Sequence, residues 1–420
     1  MDELVYWIWL SLACSPGGAT FSKLKEKFSS AKEIYEAEEY ELSKIIGYRS
    51  SDRKGLVNKS LDKAAQIYEF CTKHKVGLLP YCHDKYPRSL RDIASPPVLL
   101  YYRGSLPDFN RKFFVSVVGT RALSDYGRRA AFRISHDLAM AGSVVVSGMA
   151  FGIDSVALAG AISAGGTTVA VIGSGIDVCY PKQHQKLARE IVKNGCVMTE
   201  YAPGTPPAKH NFPKRNRIIS GLSAATLVIE GREKSGAYIT ANYAKEQDRA
   251  LYALPGNIGS STSELSNLLI KNGARLCSAA DDIVRDFQDK YPGVINPFNL
   301  PDKIRVDMMS VLRELSVVAV CQGDNIFTHI FNRPIKAAAS PPPLRRSEPE
   351  IAPIAVDLPN DFDKTAMRIY KKIPIGDDIS LEELVDDEID MRTLMKTLLK
   401  LEMGGFVKML PSERVTRKTY

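Results

Sequence analysis

The chain has 420 residues, a net charge of +8 and a hydrophobic fraction of 45%, enough for two or three domains with a substantial core. No run of about 18 apolar residues occurs, which excludes an ordinary membrane-spanning helix. The seven cysteines are scattered without paired spacing, which argues against a disulfide framework or a zinc site and for a reducing, cytoplasmic setting.

Residues 1–75 read as helical. The apolar start Val5-Tyr6-Trp7-Ile8-Trp9-Leu10 follows acids rather than a basic segment, so it reads as a buried helix and not a signal peptide. Apolar positions recur at helical spacing around Leu24, Phe28, Ile34 and Tyr35. Breaks are expected at Ser15-Pro16-Gly17-Gly18 and at Gly47-Tyr48-Arg49. Short helices joined by glycine turns fit a helix-hairpin-helix or sterile-alpha-like domain. A plain helical packing domain fits equally well.

Residues 76–110 form a connector with one strand, Val98–Tyr102. From residue 113 to 288 short β-branched runs alternate with helical stretches. The runs start at Val115, Ser143, Thr168, Cys196, Ala225 and Ala250. This alternation predicts βαβ units, an α/β fold and a parallel sheet with helices on both faces. Ligands of such sheets bind at the carboxyl ends of the strands. Glycine or small polar residues follow each run. They include Gly119-Thr120-Arg121, Ser147–Asp154, Gly173-Ser174-Gly175, Gly231 to Gly236 with Ser235-Gly236 at a helix start, and Pro255-Gly256. Any one such turn is ordinary, but several along one sheet edge predict an anion-binding face.

The stretch Lys209-His210-Asn211-Phe212-Pro213-Lys214-Arg215-Asn216-Arg217 holds four permanent cations, one phenyl ring and two amides in nine residues, with no acid. A solvated basic loop accounts for such a run. So does a single-strand nucleic-acid site, where cations follow phosphates, a ring stacks on an unpaired base and amides reach base edges.

Residues 289–359 begin with prolines and a helix near Val306 to Val317. Residues 334–359 carry seven prolines and read as an extended linker. Residues 360–420 are globular again. A helix over 391–403, a glycine turn, the strand up to Leu410 and the basic end Arg414, Arg417 and Lys418 suggest a small winged helix.

Several enzymes are poorly supported. No phosphate-loop motif, dinucleotide fingerprint or nucleophile elbow is present. Cys82-His83-Asp84 lacks a second ligand pair, so no metal site is expected. Asp154 and Glu230 are the candidate acids for an alternative reading, a Rossmann-like nucleotide-binding or nucleotide-hydrolysing enzyme or sensor. A third reading, an adaptor that binds only proteins, leaves Arg121 and the basic run without a purpose.

In their order, these motifs resemble those of the DNA-processing protein A (DprA, or Smf) family. The resemblance runs through Gly119-Thr120-Arg121, Ser147–Asp154, Gly173–Asp177 with Tyr180-Pro181, Phe212–Ser223, Lys234-Ser235-Gly236 and Leu254-Pro255-Gly256, across roughly residues 80–285. It implies an extended Rossmann-like domain (76–288) that binds single-stranded DNA and loads the recombinase RecA onto it in natural transformation. It also implies a cytoplasmic homodimer without enzymatic activity, cofactor or membrane attachment. Carried over by motif, Arg121 would grip a phosphate, with Gly119 and Thr120 lining the same pocket. Lys209 and Arg215 would contact the backbone and Phe212 would stack on a base. Asn216 and Arg217 would shape the pocket wall, and Lys214, Ser235 and Gly236 complete the DNA-binding set. Two departures stand out. Thr120 replaces the family's serine but keeps its hydroxyl, and Ala237-Tyr238 replaces a common Ser-Leu.

Overall fold

A computed structural model describes residues 2–301, 306–317, 320–321, 363–374, 378–386, 388–403, 406–410 and 414–417. The chain divides into two compact units, Met1–Arg333 and Pro334–Tyr420.

The first unit begins with helices α1 (Glu3–Ala13), α2 (Thr20–Leu24), α3 (Ala31–Glu36), α4 (Glu39–Ile46), α5 (Arg53–Val57) and α6 (Asp62–Lys73). Asp2 caps α1 by accepting the Leu4 N–H at 3.0 Å. This helix buries Trp7, Ile8, Trp9 and Leu10, because other helices pack around it on several sides. The turn after α1 needs Gly17 at φ 72°, a left-handed conformation that only glycine adopts without strain. Asp52 fastens that turn, accepting the Ser15 N–H at 3.1 Å and its hydroxyl at 2.5 Å.

The rest of this unit is α/β. In chain order it contains β1 (Gly77–Pro80), α7 (Arg88–Arg91), β2 (Leu99–Gly104), β3 (Phe114–Val118), β4 (Ala122–Leu123), α8 (Asp125–Met140), β5 (Val144–Ser147), α9 (Ile153–Ser163), β6 (Thr168–Val171), α10 (Gln185–Ile191) and β7 (Gly195–Thr199). Then come α11 (Asn211–Leu222), β8 (Ala225–Val228), α12 (Gly236–Glu246), β9 (Ala250–Ala253), α13 (Glu264–Lys271), β10 (Arg275–Leu276), α14 (Ala280–Phe287), α15 (Met308–Glu314) and β11 (Val320–Cys321).

Nine strands form one sheet in the order β1-β2-β7-β6-β5-β3-β8-β9-β10. Neighbours from β7 to β10 are parallel, while β2 joins β7 antiparallel and carries β1 antiparallel in turn. The central strands are buried on both faces, which is why they are nearly continuous β-branched runs. Along β3 the side chains alternate between two cores. Val115 and Val117 join one, and Phe114 and Val118 join the other. The first core includes residues of α8 and α9, and the second includes residues of α11, α12 and α13.

The topology positions the ligand crevice. The chain leaves β3 towards β5, β6 and β7, then returns to place β8 on the other side of β3. The order therefore reverses at β3, and a crevice opens at the carboxyl ends of β3 and β8.

The structure adds to the sequence reading in two places. The antiparallel extension β1 was not anticipated, since it is four residues long and ends in Pro80. The basic run is not a loop, because Asn211 to Arg217 form the first two turns of α11. Pro213 lies in the first turn, where a missing N–H costs nothing.

The second unit contains α16 (Lys364–Lys372), β12 (Asp378–Ser380), α17 (Met391–Met403), β13 (Val407–Leu410) and β14 (Arg414–Arg417). Its strands pair antiparallel in the order β12-β14-β13. Ile369, Ile373, Leu394, Leu398, Val407 and Val415 form its core. A winged helix is a proposal for this unit, supported by α17 and the β13–β14 ribbon. The proline-rich stretch 334–359 lies outside the described residues.

Candidate functional site

A groove of about 700 Å³ occupies the crevice at the carboxyl ends of the sheet. Gly119, Thr120 and Arg121 enter it from the loop after β3. Ala150 and Asp154 follow β5, Tyr180 follows β6, and Lys209 follows β7. Phe212, Arg215 and Asn216 come from α11, and Lys234, Ser235 and Gly236 come from the start of α12.

Phe212 is half-buried and central. The Arg121 guanidinium lies over its ring, 5.4 Å from the centroid. The Tyr180 ring stands 5.5 Å away at an interplanar angle of 44°. Gly173 lies behind the ring, where an added Cβ would be 3.1 Å from it. A planar cation over an aromatic ring is itself a flat, polarisable surface.

Arg215 forms part of the floor rather than the rim. Its side chain is buried and its Nη1 donates to the Val171 carbonyl. It shares the space beside Gly148 with Asp154, and any Cβ at residue 148 would collide with both side chains. Burial pushes the Arg215 guanidinium down to about 10, against the pull of the Asp154 charge. Burial likewise pushes the Asp154 carboxyl up, while Arg215, Arg121 and the N–H groups of Ala150 and Gly148 oppose it. Arg215 Nε has no hydrogen-bond partner among the described residues. A buried, unpaired donor in a concave site is costly unless a ligand or water completes it.

The other wall is the start of α12. Asn216 Nδ2 donates to the Gly236 carbonyl at 3.2 Å, which ties α11 to α12. Nothing lies within 4 Å of the Cβ position of Gly236, so the helix start is open to the groove. The buried Ser235 hydroxyl also has no partner among the described residues. Lys209, Lys234 and Arg121 are exposed on the rims.

Two residues of the expected set are elsewhere. Lys214 and Arg217 do not line the groove. Helix periodicity separates them, since residues 212, 215, 216 and 219 share one face and 214 and 217 share another. Lys214 lies against the Gly17 turn. Arg217 is buried in a bidentate pair with Glu200, with N–O distances of 2.6 and 2.7 Å. Its Nε donates to the Ser95 carbonyl at 2.8 Å and its Nη1 to the Lys214 carbonyl at 2.9 Å. Its fork is therefore occupied inside the protein, and Arg217 does not form a groove wall. Conversely, Tyr180 and Lys234 line the groove although they carried no individual role in the sequence. Reading Pro213 as a first-turn residue and marking every third and fourth position would have separated the two faces.

Glu230 is not in the groove either. Its carboxylate accepts the Ser124 N–H at 2.9 Å, the Ser124 hydroxyl at 2.5 Å and the Thr262 hydroxyl at 3.2 Å. It clamps the start of α8, where Ser124 is the cap. Of the two candidate acids, only Asp154 faces the crevice. Among the described residues no group of three His, Cys, Asp or Glu could hold a metal ion, and no helix is long and apolar enough to cross a membrane.

Residues 77–288 match the family described as DNA recombination-mediator protein A. Protein Smf of Synechocystis sp. is 34% identical over 288 residues, which covers 67% of this chain and 72% of that protein. DNA processing protein DprA of Bacillus subtilis is 33% identical over 245 residues, covering 58% and 82%. The X-ray structure of DNA processing protein A from Streptococcus pneumoniae superposes with a TM-score of 0.58 at 33% identity, covering 68% of this chain and 98% of that one.

Proposed function

The chain belongs to the DNA recombination-mediator protein A family, and from that premise we propose that its groove holds single-stranded DNA and that the protein loads the recombinase RecA onto it in natural transformation. The observation that supports the single-strand reading best is the Arg121–Phe212 stack inside a groove with cationic rims. An unpaired base stacks on that surface, Lys209 and Lys234 neutralise the backbone on either side, and the open start of α12 receives a phosphate. A duplex has no free base face to present. The protein acts in this reading as a cytoplasmic homodimer and not as an enzyme.

The test is a titration with single-stranded and duplex DNA of the same length at several salt concentrations. Single strands are expected to bind more tightly at every salt concentration, with little sequence preference. Equal affinity at matched salt overturns the reading.

The enzyme alternative rests on Asp154, the acid that faces the groove. Its raised pKa and charged neighbours are also what a buried structural acid shows. Purified protein is expected neither to hydrolyse ATP nor to cleave DNA. Reproducible turnover that disappears in Asp154→Ala would favour the alternative.

The second unit is proposed to be dispensable for the groove. A chain ending at Arg333 should keep its circular dichroism and still bind single strands. Loss of binding by a folded truncation would transfer the main site to the second unit.

A further inference from the structure

We propose that the single-strand site continues out of the groove along a second cationic track, formed by α10 and the short 3-10 turn Lys182–His184 that leads into it. The proposal rests on the reading of the groove as a single-strand site. Tyr180 links the two. Its ring packs against Phe212 inside the groove, and the chain runs directly on through Pro181 into the turn.

Past that point Lys182, Lys186 and Arg189 are all exposed. Lys186 and Arg189, three residues apart on α10, are neighbours about 5–6 Å apart at Cβ, and Lys182 precedes them in the 3-10 turn. The opposite side is fixed in the core, where His184, Leu187 and Ile191 are fully buried. The row therefore cannot roll away from solvent. Lys193 continues it by one more turn but is held by Glu190 at 2.8 Å. Of these four cations, only Lys193 forms an ion pair among the described residues. Asp177, in the preceding loop, has an oxygen engaged by the Gly204 N–H at 2.8 Å.

A row of cations on a helix is ordinarily a solvated face. This one differs because it begins at the rim of the groove and carries three charges without internal partners. No exposed ring lies between the cations, and the exposed amides of Gln183 and Gln185 flank them, so the row fits a phosphate backbone with polar contacts beside it rather than stacked bases. The geometry assigns two parts to the strand: nucleotides held by stacking in the groove, and a following stretch held without stacking, mainly by charge, along the turn and α10.

The prediction is a length dependence. Fluorescence anisotropy with labelled oligothymidylates of roughly 6 and roughly 15 nucleotides brackets the usual span of single-strand sites. Three extra phosphate contacts should make the slope of log affinity against log salt steeper for the longer strand by about 2. The variant K182A/K186A/R189A should lose that excess on the longer strand, leave the shorter strand unaffected and keep its circular dichroism. A matched variant, K44A/K63A/K73A, removes three exposed cations from the N-terminal helices and should keep the excess. The track is refuted if the α10 variant keeps the steep slope, weakens both lengths equally, or is matched by the control variant. Failure of the groove reading is a separate result: Phe212→Ala would then bind the short strand as well as wild type.

Discussion

Arg217→Ala should destabilise the first unit by about 3–5 kcal/mol, the usual result of removing one partner from a buried ion pair. The side chains of Arg217 and Glu200 are only 4% and 5% exposed. Without the guanidinium, the Glu200 carboxylate loses both of its bidentate donors at a nearly buried position. The Ser95 and Lys214 carbonyls also lose a donor. Glu200→Ala should cost a similar amount, because it strands a buried cation. Replacing both residues with methionine should recover most of the loss, since the penalty comes from the unpaired charge and not from the missing attraction. Denaturant unfolding followed by tryptophan fluorescence measures this directly. The chain has two tryptophans, and Trp7 and Trp9 both lie in α1. A loss below about 1 kcal/mol would show that the pair is hydrated, as surface pairs are.

Phe212→Ala should weaken single-strand binding by about 1–3 kcal/mol and leave its salt dependence unchanged, because a stack is lost and no charge is removed. Arg121→Ala should behave differently. It removes a phosphate partner and should flatten the slope of log affinity against log salt by about 0.7. The two side chains touch, with Arg121 lying over the ring, so their effects should not add. The double variant should lose less than the sum of the single losses. Phe212 also packs near Tyr180 and Gly173, so circular dichroism must accompany each measurement. A folded Phe212→Ala protein with undiminished affinity would remove the stack from the mechanism, and an unchanged slope in Arg121→Ala would remove the phosphate contact.

The α/β centre was legible because strands buried on both faces need long β-branched runs, and parallel strands separated by helices space those runs evenly. The glycine turns marked the sheet edge that bears the groove for the same reason, since backbone and ligand both need room there. The edge strands were not legible. β1 and β10 are only four and two residues long and contain no β-branched run, so they leave no strand pattern to read. The basic run pointed to the right helix but not to its faces. Its residues divide between groove and interior according to a 100° rotation per residue, and composition cannot show that rotation. Arg217 looked like one more free cation because Glu200 precedes it by a strand end and a loop. The roles of Glu230 and Asp154 were equally hidden, because both follow strands and only the helix against which each packs tells them apart.

The sheet ends at β10 in a form that discourages the addition of a further strand. That strand is two residues long, Arg275 and Leu276, and Arg275 is drawn to Asp286 at 2.6 Å. An exposed edge normally invites another chain to add a strand, which is the usual route to runaway aggregation. Here the template offers too few backbone groups to hold one, and a charge guards it. Another chain that reaches this edge meets side chains rather than a backbone ladder, so strand addition is disfavoured there.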